Sequence, residues 1–350
     1  MALLANLRKN APTWPGISED YWDDLDSEET IEAIAHAMEA NGHDVTFIEG
    51  NTDLCDRLRA SVPDICFNIC EGHFGDAREA QIPAMLEQLR IPYTGSKVLA
   101  LALSLDKPMT KRVLSYHGLP TPPFQVLERD DEPLDPALQF PCFVKPSREG
   151  TGMGVSASSI VQNAFELRRQ IRAIFERYDQ PALVEKFIEG SEVTVGVVGN
   201  LLSPVAWRVP RDDTAPRVFR GLEFLPPLEV DMSAYPAEEM GVYTSRIKVE
   251  LVHDFHYLCP APLTEEQVEE LHWLTAATFR VVGCQDVARV DFRLDSHAGN
   301  TPYILEVNPL PGLNPKYSDL CIEAAAAGWT YEDLVNRILD EAIERYGLRG

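Results

Sequence analysis

Apolar residues along this chain recur at two spacings, and the spacing assigns the elements. From Ser27 the pattern is helical: Ile31, Ile34, Ala35 and Met38 share one face. The Ser27 hydroxyl is placed to cap this helix, Glu28 and Glu29 occupy its positive first turn, and Asn41-Gly42 should stop it. Apolar runs from Val45 to Ile48 and from Ile65 to Ile69 read as strands, and a helix-like segment follows from about Glu79 to Gln88, before Ile91-Pro92-Tyr93. Strand alternating with helix predicts an α/β layer around a parallel sheet.

The next helix should span Ser104 to Tyr116 and end at His117-Gly118, because Pro120, Pro122 and Pro123 forbid its continuation. Strands are expected at Cys142 to Lys145, Ala182 to Phe187 and Val193 to Val198, with a glycine-dense turn from Arg148 to Gly154. They form a second, α+β unit. Arg208 to Tyr243 lacks clean periodicity and reads as a long excursion rather than a core element. Thr264-Glu265-Glu266-Gln267 is a capping box for a helix whose stripe starts at Val268 and Leu271 and ends at Gly283. A final helix should start at Thr330. The expected division is an N-terminal α/β domain over 1–97, a central unit over 98–185 and a C-terminal unit over 186–350.

Composition narrows the function. With 350 residues, 45% of them hydrophobic, the chain can bury real cores; Lys plus Arg number 31 against 55 Asp plus Glu, a formal charge of −24. That field repels polyphosphate backbones and anionic membranes, so neither nucleic acid nor membrane is an expected partner. Part of the excess sits in Glu19-Asp20 and Asp23-Asp24-Leu25-Asp26, which reads as a solvated face. No apolar stretch approaches a bilayer span and the N-terminus lacks a secretory pattern, which predicts a cytoplasmic protein. Its seven cysteines include no C-x-x-C pair and should be reduced and mostly buried.

The most informative stretch is Val287-Ala288-Arg289-Val290-Asp291-Phe292-Arg293-Leu294, followed after a turn by Tyr303-Ile304-Leu305-Glu306-Val307-Asn308. Alternation puts Arg289, Asp291 and Arg293 on one face of a hairpin strand, and Ile304, Glu306 and Asn308 on one face of its partner. In register, Asp291 and Glu306 converge. Two carboxylates and an amide oxygen suit Mg2+; the alternative is a solvated sheet face with an Arg–carboxylate pair. Lys107, Lys145 and Lys186 lie at apolar segments, and Lys145 leads into Ser147-Arg148-Glu149-Gly150-Thr151-Gly152-Met153-Gly154. Such a loop can close main-chain N–H groups on phosphates, or it can be a plain tight turn. G-x-x-x-x-G-K-[ST], H-E-x-x-H and G-x-S-x-G are absent, and His253 and His256 do not make a zinc site.

Several stretches, in order, resemble the ATP-grasp superfamily and, within it, the D-alanine–D-alanine ligase family. They are Ile91 to Ser96 leading into Ala102-Leu103-Ser104-Leu105-Asp106-Lys107 and Thr110-Lys111, then Phe143 to Gly150, and Val184-Glu185-Lys186-Phe187-Ile188 with Gly190 and Glu192. Arg289-Val290-Asp291, Leu305 to Asn308 and Pro311-Gly312 complete the set, which spans about 64 to 320. The resemblance implies three domains with ATP between the central and C-terminal ones. It implies that Lys107 and Lys145 hold phosphates, that Glu185, Lys186, Phe187 and Ile188 meet adenine, and that Glu192 binds ribose. It further implies that Asp291, Glu306 and Asn308 hold Mg2+, or Mn2+ in its place, and that Arg289 faces the reacting carboxyl. Thr151 and Lys248 would belong to lids. The implied reaction joins an amino-acid or carboxylate substrate to an amine through an acyl-phosphate, and a homodimer is implied as well.

The substrate end departs from that family. The glutamate that orients the first amino acid is not identifiable, Lys248-Val249 stands where the family's lid carries Lys-Tyr, and Gly312 is followed by Leu313-Asn314-Pro315-Lys316-Tyr317-Ser318 instead of small hydroxyl residues. Lys316 and Tyr317 could face a substrate carboxylate or solvent. Glu71 is either a partner for a substrate ammonium or a loop carboxylate. An ATP-grasp ligase for a different substrate pair, a kinase-like phosphotransferase and a nucleotide-binding regulatory protein stay open beside the D-alanine reading.

Overall fold

The computed structural model describes residues 1–18, 20–202, 219–231 and 257–348. Its N-terminal sheet is parallel: β1 (Ala2–Ala5) lies between β2 (Thr46–Glu49) and β3 (Cys66–Asn68). The central strand β1 is buried along its whole length, so it carries no alternation and reads in the sequence only as an apolar start. Helix α1 (Glu28–Ala40) is capped by Ser27, which accepts the Thr30 N–H, and buries Ile31, Ile34 and Met38 as expected; Ala37 joins them, and Ala35 is only partly buried. Helix α2 (Leu54–Ser61), unrecognised in the sequence, and helix α3 (Gln81–Leu89) cover the sheet's other face through Leu54, Leu58, Ile82 and Leu86.

The expected helix from Ser104 to Tyr116 is two helices, α4 (Val98–Leu105) and α5 (Lys107–Tyr116). Asp106 breaks them: its side chain caps α5 by accepting the Met109 N–H, and Pro108 fits only a first turn. The break places Lys107 at the start of a helix.

A four-stranded antiparallel sheet follows, in the order β4 (Phe124–Leu127), β7 (Ala182–Lys186), β5 (Cys142–Pro146) and β6 (Ile160–Val161), backed by α6 (Ala164–Tyr178). The last sheet is built on β8 (Glu192–Gly199), which pairs antiparallel with β12 (Val287–Asp295); β12 pairs in turn with β13 (Thr301–Asn308). Here the expected excursion is corrected. Its described part supplies β9 (Leu222–Phe224) and β10 (Leu228–Val230), both paired with β8 and burying Leu222, Leu228 and Val230; β11 (Tyr257–Leu258) extends the same edge. Strands of three residues around Pro226-Pro227 are too short to show a period.

Helix α7 (Glu265–Val282) packs on this sheet and has the anticipated capping box and a left-handed Gly283. Two helices end the described chain, α8 (Asp319–Ala326) and α9 (Tyr331–Arg345), the latter capped by Thr330. Buried Asp286 ties the layers together: it accepts from the Gly95 N–H, the Asn200 amide and both arms of Arg345 at 2.6–2.9 Å. All seven cysteines are free, five of them buried. Among the described residues no helix is long and apolar enough to cross a membrane.

Candidate active site

The hairpin forms in the expected register, with Asp291 opposite Glu306 and Arg289 opposite Asn308. One face differs. A bulge at Leu305 shifts the pairing, so Phe292 lies opposite Ile304, and Ile304 turns into the apolar core while Glu306 and Asn308 stay with Asp291. Asp291 is held on every side: Arg289 grips both its oxygens at 2.9 and 3.0 Å, the Thr194 hydroxyl donates at 2.6 Å and the Asn308 amide at 3.0 Å. Arg289 also reaches Asp319 at 3.3 Å. Burial opposes the arginine's charge, but Asp291 and Asp319 overcome it and hold its pKa well above the usual value. Asp319, in the first turn of α8, carries no sequence motif and was found only through this contact.

Lys107 bridges the hairpin to the glycine-dense turn, donating to the Glu149 carbonyl and pairing with Glu306 at 3.1 Å. The turn is built for this place. Thr151, Gly152 and Gly154 have positive φ, and a Cβ on Gly154 would strike Pro146 at 2.6 Å, so only glycine fits there. The Gly154 N–H donates to Asp20, which also accepts the Tyr178 hydroxyl.

Lys145 pairs with Glu185 at 2.9 Å, and Lys111, to which the sequence pattern assigns no role, pairs with the same carboxylate from the other side. Lys111 is 1% exposed; burial pulls its pKa down to about 8 against the pull of Glu185. Burial would raise the Glu185 pKa, but the two lysines together hold it below the usual range. Glu185 is therefore the buried counter-ion of two lysines. The backbone and side chains beside it, Lys186, Phe187 and Ile188, line a cleft with Phe143, whose ring stacks on Phe187 at 6.4 Å. Glu192 lines the same cleft and pairs with Arg293 at 3.1 Å.

On the other side of Lys107 and Glu306 lies a cavity of about 400 Å³. Thr151, Arg289, Asn308, Gly312, Tyr317 and Glu71 all face it. Lys316 does not: its ammonium pairs with Glu29 at the surface, where it is 68% exposed. The acidic run 20–26 is not a solvated face. Asp23, Asp24 and Asp26 line the cavity, with side-chain exposures of 6% for Asp23 and 5% for Asp24. The interleaved Trp22 and Leu25, both buried, were the signal that this run packs inward. Lys248-Val249 and His253 and His256 lie outside the described residues.

The model of the D-ala D-ala ligase C-terminus matches residues 113–211 and 228–340. The D-alanine–D-alanine ligase of Pelotomaculum thermopropionicum is 33% identical over 91% of this chain and 93% of its own length, and that of Syntrophotalea carbinolica is 34% identical over 89% of each. An uncharacterized protein of Sinorhizobium fredii is 32% identical over 90% of this chain and 88% of its own. The D-alanine–D-alanine ligase of Bacillus anthracis complexed with ATP superposes over 100% of this chain and 99% of its own with a TM-score of 0.70 at 24% identity, which is a likeness of fold. On the family model and the sequence relatives, this chain belongs to the D-alanine–D-alanine ligase family of ATP-dependent ligases.

Proposed function

We propose that this protein joins a carboxylate to an amine with ATP, through an acyl-phosphate, releasing ADP and phosphate. The observation that carries the reading is the hairpin cluster of Arg289, Asp291, Glu306 and Asn308, placed between an aromatic cleft fit for a nucleotide base and a separate cavity fit for the reacting molecules. Phosphoryl transfer needs positioning and charge neutralisation more than a protein nucleophile. Lys107 and Lys145 supply positive charge beside the cleft, Glu192 lies where ribose hydroxyls would reach it, and Thr151 stands at the edge of the turn that would cover the phosphates. The substrate carboxylate attacks the γ-phosphate, the amine then displaces phosphate, and Arg289 faces the charge that develops at the carboxyl. The clefts lie between the four-stranded and six-stranded sheets, which supports ATP binding between the central and C-terminal units.

The donor set at the hairpin also fits Mg2+, or Mn2+ in its place: Asp291 and Glu306 are directly opposite one another and the Asn308 amide oxygen lies on the same face. Among the described residues no group of three or more His, Cys, Asp or Glu side chains forms an alternative metal cluster. The ion, when bound, neutralises phosphate charge.

D-Alanine as both substrates is the family default. The test is ADP release from Mg-ATP across D- and L-amino acids, dipeptides and hydroxy acids, offered singly and in pairs, with mass spectrometry of products. An amide product, lost by at least 100-fold in Asp291→Asn and Glu306→Gln, supports ligation. A folded protein that releases ADP with none of them, or yields a phosphorylated product without an amide, refutes it.

A further inference from the structure

The acidic end of the large cavity has no counterpart in what the ligase chemistry needs. Asp24, Asp26, Glu71, Glu79 and Glu149 all line it. Two of them are partly neutralised: Arg78 reaches Asp24 at 3.0 Å and Glu149 at 3.1 Å, and Glu149 also accepts from Gln180. The other three have no such partner. Glu79 is 9% exposed, faces the cavity and accepts no hydrogen bond from the described residues; Glu71 and Asp26 accept none with their side chains either. The segment that carries Asp24 and Asp26 is anchored. Trp22 packs edge-on to Trp14 and Tyr21 at centroid distances of 6.0 and 4.7 Å, and its indole N–H donates to the Pro12 carbonyl at 2.8 Å.

A carboxylate taken out of water costs several kcal/mol unless it holds a proton or a positive charge meets it, and a bound cation is what displaces that proton. One α-ammonium supplies one charge; Arg78 makes its ion pairs with Asp24 and Glu149 and acts on Glu79 and Glu71 only through space, as Lys107 does on Glu79, so five carboxylates share two cations at this end. We propose that the amino-acid substrate of this chain carries a second cationic group on its side chain, bound by Glu79 with Glu71 and Asp26. This rests on the ligase reading for the word substrate; the binding itself does not. The cationic side chain enters the acidic end, and its carboxyl or α-amine is left toward Arg289 and Glu306, which line the same cavity. Electrostatics alone then selects against alanine, which would leave the carboxylates unmatched.

The test is titration calorimetry on the full chain saturated with Mg2+ and a non-hydrolysable ATP analogue. The probes are D- and L-ornithine, the uncharged isostere norleucine, and alanine. One ornithine enantiomer is expected to bind at least 10-fold more tightly than norleucine or alanine. Glu79→Gln should cut that ratio at least 5-fold and leave norleucine within 2-fold, and Glu71→Gln should separately cut the ratio at least 5-fold. Norleucine or alanine binding as tightly as ornithine, ornithine not binding at millimolar concentration, or a ratio unchanged in both variants would overturn the proposal. The ornithine-to-norleucine ratio of the unmodified protein stands even if a variant fails to fold. ADP release with the same compounds separates the two readings: release with alanine and not ornithine keeps ligation and removes the cationic substrate, whereas tight ornithine binding with no ADP from any compound does the reverse.

Discussion

Replacing Asp26 by Asn should make the ligand-free protein more stable at neutral pH. Burial, helped by the nearby Asp24 charge, raises the Asp26 pKa from 3.8 to about 7. Between those values the folded chain holds a proton that the unfolded chain releases, so the stability contributed by this group is full below about pH 4 and falls as pH rises toward 7. The span is about 3 pH units, each worth about 1.4 kcal/mol, which sets the loss at about 4 kcal/mol. Asn has nearly the same shape and no charge to desolvate, so Asp26→Asn should match the parent at pH 3.5 and exceed it by about 2–4 kcal/mol at pH 8. Urea unfolding at pH 3.5, 5, 6.5 and 8 measures both curves through ΔG and m. Parallel curves, or a variant less stable than the parent at pH 8, would show that Asp26 is not a desolvated, unmatched carboxylate. An end of the cavity that costs stability when empty is the ordinary mark of a binding site, where function is bought against fold.

Three further outcomes are open to the same methods. Glu185→Gln leaves Lys111 and Lys145 buried without a counter-ion, and should cost about 3–5 kcal/mol in urea at pH 7. That cost should shrink toward pH 10, because a lysine whose folded pKa falls below its unfolded value regains stability as pH rises through that window; a loss equal at both pH values would contradict the triad. Asp286→Ala removes the counter-ion of Arg345, which keeps the Tyr93 and Gly95 carbonyls, and the acceptor of the Gly95 N–H, and should also cost about 3–5 kcal/mol; less than 1 kcal/mol would deny it a tying role. Lys316→Ala breaks only an exposed pair with Glu29, worth about 0–1 kcal/mol, and should change ligase kcat/KM by less than 2-fold. A 10-fold loss would return Lys316 to the site.

Much of the site was legible because its residues sit on elements with a clear period. Strand alternation predicted the Asp291–Glu306 pairing, and the pairing appears in the register. The same alternation failed at Ile304, since one extra residue at Leu305 reverses the faces and nothing in an apolar-polar pattern announces a bulge. Caps at Ser27 and Thr264, and the helix start at Thr330, were equally readable, because a cap is a bond between neighbours. Strand β1 and the short strands β9 and β10 were not, one being buried on both sides and the others too brief for a period.

The sequence by itself determined the local elements, the family to which the chain belongs and the pairing of Asp291 with Glu306 on the hairpin, all of which depend on residues close together along the chain or in a fixed order. Only the tertiary structure decided which charges meet. Lys111 and Lys145 share Glu185, Arg289 reaches Asp319, and the run from Asp23 to Asp26 turns inward to join Glu71 and Glu79 around one cavity. Each of these depends on the environment of a charge, and burial, which sets whether a carboxylate is a solvated surface group or a binding group in need of a partner, comes into being only when distant segments pack.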